Sequence, residues 1–366
     1  MNNVYEMVVK VDLESFALEG KTFEKPIIMA GPCSAETEEQ VMNTAIPLAE
    51  MGIKIFRAGI WKPRTRPNAF EGVGSKGLKW LQRVKKETGM LVSTEVANVK
   101  HVYEALKYGV DIIWIGARTS ANPFAVQDIA DSLKGVNIPV MIKNPINPDV
   151  DLWIGAIERI NNAGITQMAA IHRGFSSYDK TLFRNVPQWQ VPIELRRRIP
   201  DMPIITDPSH ICGNRELLLE ISQKAMDLNF DGLIIETHCN PDKALSDAKQ
   251  QVTPDGLRHI IDRLILREPD VNQDLLLTLA ELRDQIDKLD DKIINLLEER
   301  MSVSEKIGEH KKNNNITILQ TKRWDDMLKN RLNFGKGKGL SEEFVIKLFR
   351  AIHQESINHQ TKIMNE

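Results

Sequence analysis

Hydrophobic positions form two patterns along the chain. Up to about residue 270, eight short apolar runs each lead into a residue that can bind metal, phosphate or carboxylate. They are 27–30 before Cys33, 53–56 before Arg57, 90–94 before Glu95 and 111–115 before Arg118. The other four are 140–142 before Lys143, 168–172 before Arg173, 204–206 before Asp207 and His210, and 232–235 before Glu236. Runs of this length between helical stretches read as parallel strands of βα units. In a (β/α)8 TIM barrel the C-terminal strand ends open on one face, where catalytic residues from several strands meet. The pattern therefore predicts an α/β enzyme with one cationic, metal-capable cup.

Beyond Pro269 and Asp270 the pattern becomes wholly helical. Leu275, Leu282, Ile286, Leu289, Ile293, Leu296, Leu297, Val303 and Ile307 recur at helical spacing with charges between them. A first helix is expected to about Lys312, a second over roughly 320–334, and a third from the N-cap Ser341 to the tail. The predicted division is a barrel over 1–268, a linker over 269–274 and an all-α domain over 275–366. One long and two shorter helices enclose little core alone. A homodimer that covers the long helix is the expected remedy.

Composition narrows the function. A net charge of −2, with 48 basic and 50 acidic residues, argues against a general nucleic-acid surface. No apolar run approaches a membrane span, and the first 16 residues lack the apolar core of a signal peptide. Three cysteines in a long chain do not make a disulfide framework. A cytoplasmic enzyme acting on small molecules is expected.

Cys33, His210, Glu236 and Asp247 are candidate metal ligands. A single buried Cys is ordinarily a small core hydrophobe, and a single His a hydrogen-bonded loop residue. Their shared place at strand ends favours a mixed site for Mn²⁺, Fe²⁺, Co²⁺ or Zn²⁺ and disfavours Ca²⁺. Cys212 and Cys239 are bystanders. Arg57, Lys62, Arg64, Arg118, Lys143 and Arg173 exceed the needs of one phosphate and suggest two anionic substrates. Gly72-Val73-Gly74-Ser75-Lys76-Gly77 matches a dinucleotide-binding glycine pattern, but the proline-bearing segment before it cannot be a central parallel strand. It reads as a flexible loop bordering the site, and no organic cofactor is expected.

The motifs GPCS (31–34), RAGIWKPRTRP (57–67), STE (93–95), IGART (115–119), IKNP (142–145), HRG (172–174), DPSH (207–210) and ETH…ALSD (236–247) carry a resemblance. Together they resemble the 3-deoxy-D-arabino-heptulosonate 7-phosphate (DAHP) synthases, of the short-barrel type I-beta subgroup, over roughly residues 20–265. The resemblance implies condensation of phosphoenolpyruvate with erythrose 4-phosphate in the shikimate pathway. It implies a divalent metal, Mn²⁺ first, on Cys33, His210, Glu236 and Asp247. Phosphoenolpyruvate would lie on Arg57, Lys62, Arg118, Lys143 and Arg173, with Lys62 also near the aldehyde. The sugar phosphate would lie on Arg64 and Thr65, and Glu95 would orient water or steady a transient cation. The sister octulosonate 8-phosphate synthases are the alternative, but they typically read Lys-Ala-Asn-Arg where this chain has Lys62-Pro63-Arg64-Thr65. Many relatives carry an N-terminal ferredoxin-like regulatory domain, which the roughly 20 residues before the barrel are expected not to supply.

Residues 275–362 are similar to the all-helical chorismate mutases, through Leu282-Arg283, Ile286-Asp287, Leu289-Asp290, Arg300, Lys311, Arg323, Ser356 and Gln360. The resemblance implies rearrangement of chorismate to prephenate. Arg283 of a partner chain and Arg300 would bind the carboxylates, Lys311 and Gln360 would flank the ether oxygen, and Arg323 and Ser356 would line the site. Gln320 and Trp324 stand where familiar members carry Asp and Glu, and an indole only donates. The expectation is a bifunctional enzyme whose tail also regulates the barrel, with a sensor of prephenate or chorismate as the alternative.

Overall fold

A computed structural model describes residues 8–18, 21–22, 25–62, 70–178, 181–267, 273–319 and 321–365. The chain divides into two compact units, Met1–Pro269 and Asp270–Glu366.

In the first unit a two-stranded hairpin, β1 (Ala17–Leu18) and β2 (Lys21–Thr22), precedes eight parallel strands. These are β3 (Ile27–Gly31), β4 (Ile55–Arg57), β5 (Leu91–Val96), β6 (Ile112–Ile115), β7 (Val140–Lys143), β8 (Met168–His172), β9 (Ile204–Thr206) and β10 (Gly232–Glu236). They close in sequential order, with β10 pairing β3. Helices alternate with them: α1 (Glu38–Glu50), α2 (Lys76–Thr88), α3 (Val99–Lys107), the short α4 (Ala117–Ser120), α5 (Pro123–Ser132) and α6 (Val150–Asn162). After them come α7 (Gln190–Arg198), the short α8 (Pro208–Cys212), α9 (Leu218–Asp227) and α10 (Pro254–Ile261). Polar caps start many of these helices: Thr37, Asn98, Asn122, Asp149, Asp207 and Thr253 each accept a backbone N–H of the first turn.

Alternation along each strand sorts the core into two layers. Ala30, Phe56, Ile113, Ile115, Val140, Ile142 and Ile235 face outward and pack under the helices. Met29, Ile55, Ile112, Trp114, Met141, Ile171, Ile205 and Ile234 fill the barrel, with Phe16 closing its lower end. Truncating one of these interior isoleucines to Ala is expected to cost about 2–5 kcal/mol. The strands bring β3 and β4 so close at the mouth that a Cβ on Gly31 would lie 2.1 Å from the Arg57 carbonyl oxygen. The glycine pattern at 72–77 resolves into packing: a Cβ on Gly72 would strike the Ile60 carbonyl at 2.2 Å, and Gly77 already belongs to α2. Four strand ends differ from the sequence reading, since Arg57, Glu95, Lys143 and Glu236 lie within β4, β5, β7 and β10 instead of after them.

The second unit holds α11 (Gln273–Asn313), α12 (Thr321–Lys336) and α13 (Glu342–Asn365). At 1.5 Å per residue α11 is about 60 Å long. Its C-terminal half packs on α13, where Met301, Ser304, Ser356 and Gln360 are buried. Gly308 lets α13 approach, because a Cβ there would lie 3.2 Å from Gln360 Cα. Its N-terminal half is different: residues 281–296 are exposed on every side. Leu282, Ile286, Leu289, Ile293 and Leu296, at alternating spacings of four and three, are each at least half exposed. That is the 3.5-residue period of a helix–helix seam. No helix among the described residues is long and apolar enough to cross a membrane.

Candidate active sites

The same alternation that fills the barrel builds its mouth. In five of the eight strands, two residues beyond an inward apolar side chain comes a charged one: Ile55 then Arg57, Met141 then Lys143, Ile171 then Arg173, Ile205 then Asp207, Ile234 then Glu236. In β5, Glu95 follows Ser93 and Leu91 in the same way. Cys33 lies beyond Gly31 and Met29. A period of two thus carries each strand from greasy interior to reactive rim.

Cys33, Glu236 and Asp247 each place one ligand atom within 4.8 Å of the others. Asp247 Oδ2 lies 3.3 Å from Cys33 Sγ, and its backbone is left-handed at φ 51°. His210, the fourth predicted ligand, lies alongside this trio. Its Nε2 is 3.6 Å from Glu236 Oε1, while Nδ1 sits 2.8 Å from Asp207 Oδ2. Burial, reinforced by Glu236, pushes the Cys33 thiol up to about 12. Burial would also raise the Glu236 carboxyl, but His210, Arg57 and Lys62 reverse this and hold it below the usual range. Asp247 is held down in the same way, against burial, by Arg184, His210 and Lys62. Two ionised carboxylates beside a thiol suit a divalent cation of borderline softness. Such a cation would favour the thiolate.

Cations ring this cluster. Arg57 donates to Glu236 Oε1 (2.8 Å) under the Trp114 ring, and Lys143 donates to Asp207 Oδ2 (2.8 Å). Lys62 Nζ donates to Cys33 Sγ at 3.1 Å. Arg173 donates to Asn185 Oδ1 (2.7 Å), and its pKa falls to about 10, first through burial and then through Arg184 and Arg118 against the pull of Asp207. Three arginines that repel one another at a cavity mouth are arranged for an anion. Glu95 accepts from Trp114 Nε1 (3.0 Å) and fits because position 116 is glycine, whose Cβ would lie 2.2 Å from the carboxylate. Arg64 and Thr65 lie outside the described residues. Arg184, Asp207, Gln250 and Gln251 join the site without having been singled out for a role. Asp207 was visible in the DPSH motif, whereas Arg184 sits in a motif-free loop.

The helical unit gathers a second polar cluster. Arg300 donates to Ser356 Oγ; Lys311 Nζ donates to Gln360 Oε1 (3.1 Å), and Gln360 Nε2 donates to Ser304 Oγ (3.0 Å). Burial lowers the pKa of Arg300 and Lys311, and Arg331 adds to it at Arg300. Arg323 is exposed on α12, and Arg283 is exposed on α11, about 25 Å along the helix from Arg300. Arg283 therefore cannot reach the Arg300 cluster of its own chain. Trp324 lies against His353 with the rings tilted by 32° and their centroids 4.1 Å apart, and His353 lies in the field of Arg300 and Lys311. His353 and Arg331 had no motif to reveal them; Gln320 is outside the described residues.

Both parts of the chain resemble known proteins. Residues 9–267 match the DAHP synthetase I family and residues 282–361 match chorismate mutase type II. Phospho-2-dehydro-3-deoxyheptonate aldolase of Thermotoga maritima is 36% identical over 237 residues, 65% of this chain and 68% of that one. A 2-dehydro-3-deoxyphosphooctonate aldolase of Francisella tularensis is 29% identical over 246 residues, 62% of this chain and 85% of its own length. The crystal structure of the Thermotoga maritima DAHP synthase superposes with a TM-score of 0.58 at 33% identity, covering 64% of this chain and 66% of that one. Its truncated form gives 0.56 at 32% identity, covering 64% and 83%. The chain is an enzyme of the DAHP synthetase I family, with a chorismate mutase type II domain following the barrel in sequence.

Proposed function

We propose that the barrel condenses phosphoenolpyruvate with erythrose 4-phosphate and that the helical domain rearranges chorismate to prephenate. The observation that carries the first activity is the Cys33–Glu236–Asp247 trio, its ligand atoms within 4.8 Å of one another inside a ring of cations. Those three, joined by His210, would hold a divalent ion, Mn²⁺ in the first instance, which when bound supplies Lewis acidity at the aldehyde oxygen.

Arg57, Lys143, Arg118 and Arg173 bind the phosphate and carboxylate of phosphoenolpyruvate. Lys62, beside Cys33, stands near the aldehyde, and Arg64 with Thr65 takes the sugar phosphate. C3 of phosphoenolpyruvate forms the new bond to the aldehyde carbon, whose oxygen gains a proton. Water then adds to the cationic C2, and breakage of the C2–O bond releases phosphate. Holding two anions in contact is the main obstacle, and preorganised cations remove it. Glu95, fixed by Trp114, orients the water or steadies the cation.

In the helical domain Arg300 and a partner chain's Arg283 clamp the two carboxylates of chorismate. Lys311 and Gln360 face the breaking ether oxygen, and Ser356 and Arg323 line the site. The exposed α11 seam and the distance from Arg283 to Arg300 both support a homodimer. Prephenate or chorismate bound there would restrain the barrel, so the domain is both catalyst and sensor.

The test is phosphoenolpyruvate consumption by the full chain with Mn²⁺, with and without chelator, offering erythrose 4-phosphate or arabinose 5-phosphate. Chelator-sensitive turnover with the four-carbon sugar is expected. Preference for arabinose 5-phosphate would transfer the barrel to the octulosonate reaction, and no turnover in folded, metal-loaded protein would sink the synthase reading. Loss of chorismate absorbance tests the mutase separately.

A further inference from the structure

Two consecutive glutamines behind the barrel mouth are buried and fully engaged with its ligand trio. Gln250 is 1% exposed and Gln251 is fully buried. Gln250 Nε2 donates to Glu236 Oε2 (2.7 Å), while its Oε1 accepts from Arg184 Nη1 (2.6 Å). The same Arg184 pairs with Asp247 Oδ1 at 3.0 Å. Gln251 Oε1 accepts the backbone N–H of Cys33 (2.9 Å), and its Nε2 donates to the carbonyl of Ser246 (2.8 Å). Gln250 closes a short 3-10 turn over Ala248–Gln250, and Gln251 leaves it in extended backbone (φ −85°, ψ 145°), so the chain changes direction between the two side chains. One glutamine can therefore serve Glu236 while the next serves Cys33 and the Asp247 loop.

We propose that Gln250 and Gln251 are positioning residues that preset the Cys33–Glu236–Asp247 cluster for a divalent cation. This rests on the metal reading of that trio. The physical need is clear. Two carboxylates and a sulfur crowd together, and like charges separate unless something holds them. Asp247 also sits in a left-handed conformation that a non-glycine residue keeps only when its surroundings impose it. Arg57 and Lys62 hold the trio as well, but as cations they compete with a metal for the same electrons. A neutral amide orients a ligand without neutralising it, as hydrogen-bond partners behind metal ligands do. Ser34 Oγ, 2.7 Å from Ser246 Oγ, and Glu36, which accepts the Leu245 N–H, brace the loop from its other side.

An anaerobic Co²⁺ titration of the full chain tests this, read by the thiolate-to-cobalt absorption in the near ultraviolet. The variants are Gln251→Met, Gln250→Met and, as a control, Gln223→Met, whose glutamine bonds Ile265 and Asp227. Both site variants are expected to weaken Co²⁺ binding roughly 10–100-fold, the range for hydrogen-bond partners of metal ligands. Their melting temperatures in chelator should stay close to that of the parent chain. Affinity within about twofold of the parent, or an equal loss in Gln223→Met, would overturn the assignment. Should Gln251→Met fail to fold, Gln250→Met decides alone. A parent chain without a thiolate band, or one that keeps it in Cys33→Ser, would instead overturn the metal reading.

Discussion

The barrel site and the helical site differ in how much of each one chain builds. At the barrel mouth each described candidate ligand and many of the cations have a partner within the same unit, much of it buried: Arg57 with Glu236, Lys143 with Asp207, Arg184 with Asp247. In the helical unit Arg300, Lys311, Ser356 and Gln360 meet, while Arg283 stands about 25 Å away on an exposed helix. A closed barrel brings its catalytic rim together within one chain, from strand ends and the loops that follow them. On the proposed reading, the three helices of one chain supply one wall of the mutase site and a partner chain supplies the other. The comparison predicts that the barrel chemistry tolerates a change of assembly better than the mutase chemistry does.

The largest effect is expected from Cys33→Ala, which should cut phosphoenolpyruvate consumption by about 10³-fold or more, as loss of Lewis-acid stabilisation of developing charge requires. Chorismate turnover by the same variant should be unchanged; a parallel loss would mean that the units are not chemically independent. Lys311→Ala mirrors it, with the mutase kcat falling about 10²–10³-fold and the synthase rate unaffected. Next comes the seam. Placing Lys at both Leu289 and Ile293 should yield monomers by analytical ultracentrifugation, with mutase activity lost because Arg283 no longer arrives. If mutase activity survives in a monomer, the partner-chain role of Arg283 is wrong.

The smallest effect concerns pH. His172 is fully buried among Phe175, Trp189 and Phe230, donates through Nε2 to the Pro187 carbonyl (2.7 Å), and leaves Nδ1 without a partner. Burial lowers its pKa to about 4 from 6.5. Folding therefore favours the neutral ring, so its contribution is complete above pH 6.5 and lost as pH falls toward 4. Its share of the slope in barrel stability amounts to about 3 kcal/mol across that window, to which His210 and His101, also lowered by burial, add in the same direction. Urea midpoints followed by tryptophan fluorescence should show it, and His172→Gln should flatten it. Asp207, held well below 3.8 against burial by His210 and Lys143, titrates beneath the window.

The barrel was legible because parallel strands buried on both faces read as short apolar runs, each ended by a polar residue. Legibility failed at Arg184, Gln250 and Gln251, whose neighbours Asp247, Glu236 and Cys33 are up to 218 residues distant in sequence. Nothing local marks a glutamine as a clamp. His353 and Arg331 were hidden for the same reason, since a charged or polar residue on an amphipathic helix ordinarily faces solvent. The Gly72–Gly77 pattern misleads in the other direction: a local match to a phosphate-binding loop turns out to be room for Ile60.

Periodicity along the chain encodes eight strands and then three helices, which strand ends carry charge, and an apolar seam along α11. Those properties follow from local geometry, a period of two in strands and of about 3.6 in helices. Which of those charges meet is set by the packing of distant elements. Barrel closure brings β10 against β3, so that Glu236 and Cys33 share one cluster. The return of α13 along α11 does the same for Gln360 and Lys311. Juxtaposition across a closed sheet or between packed helices depends on register and crossing, which no local run of residues specifies.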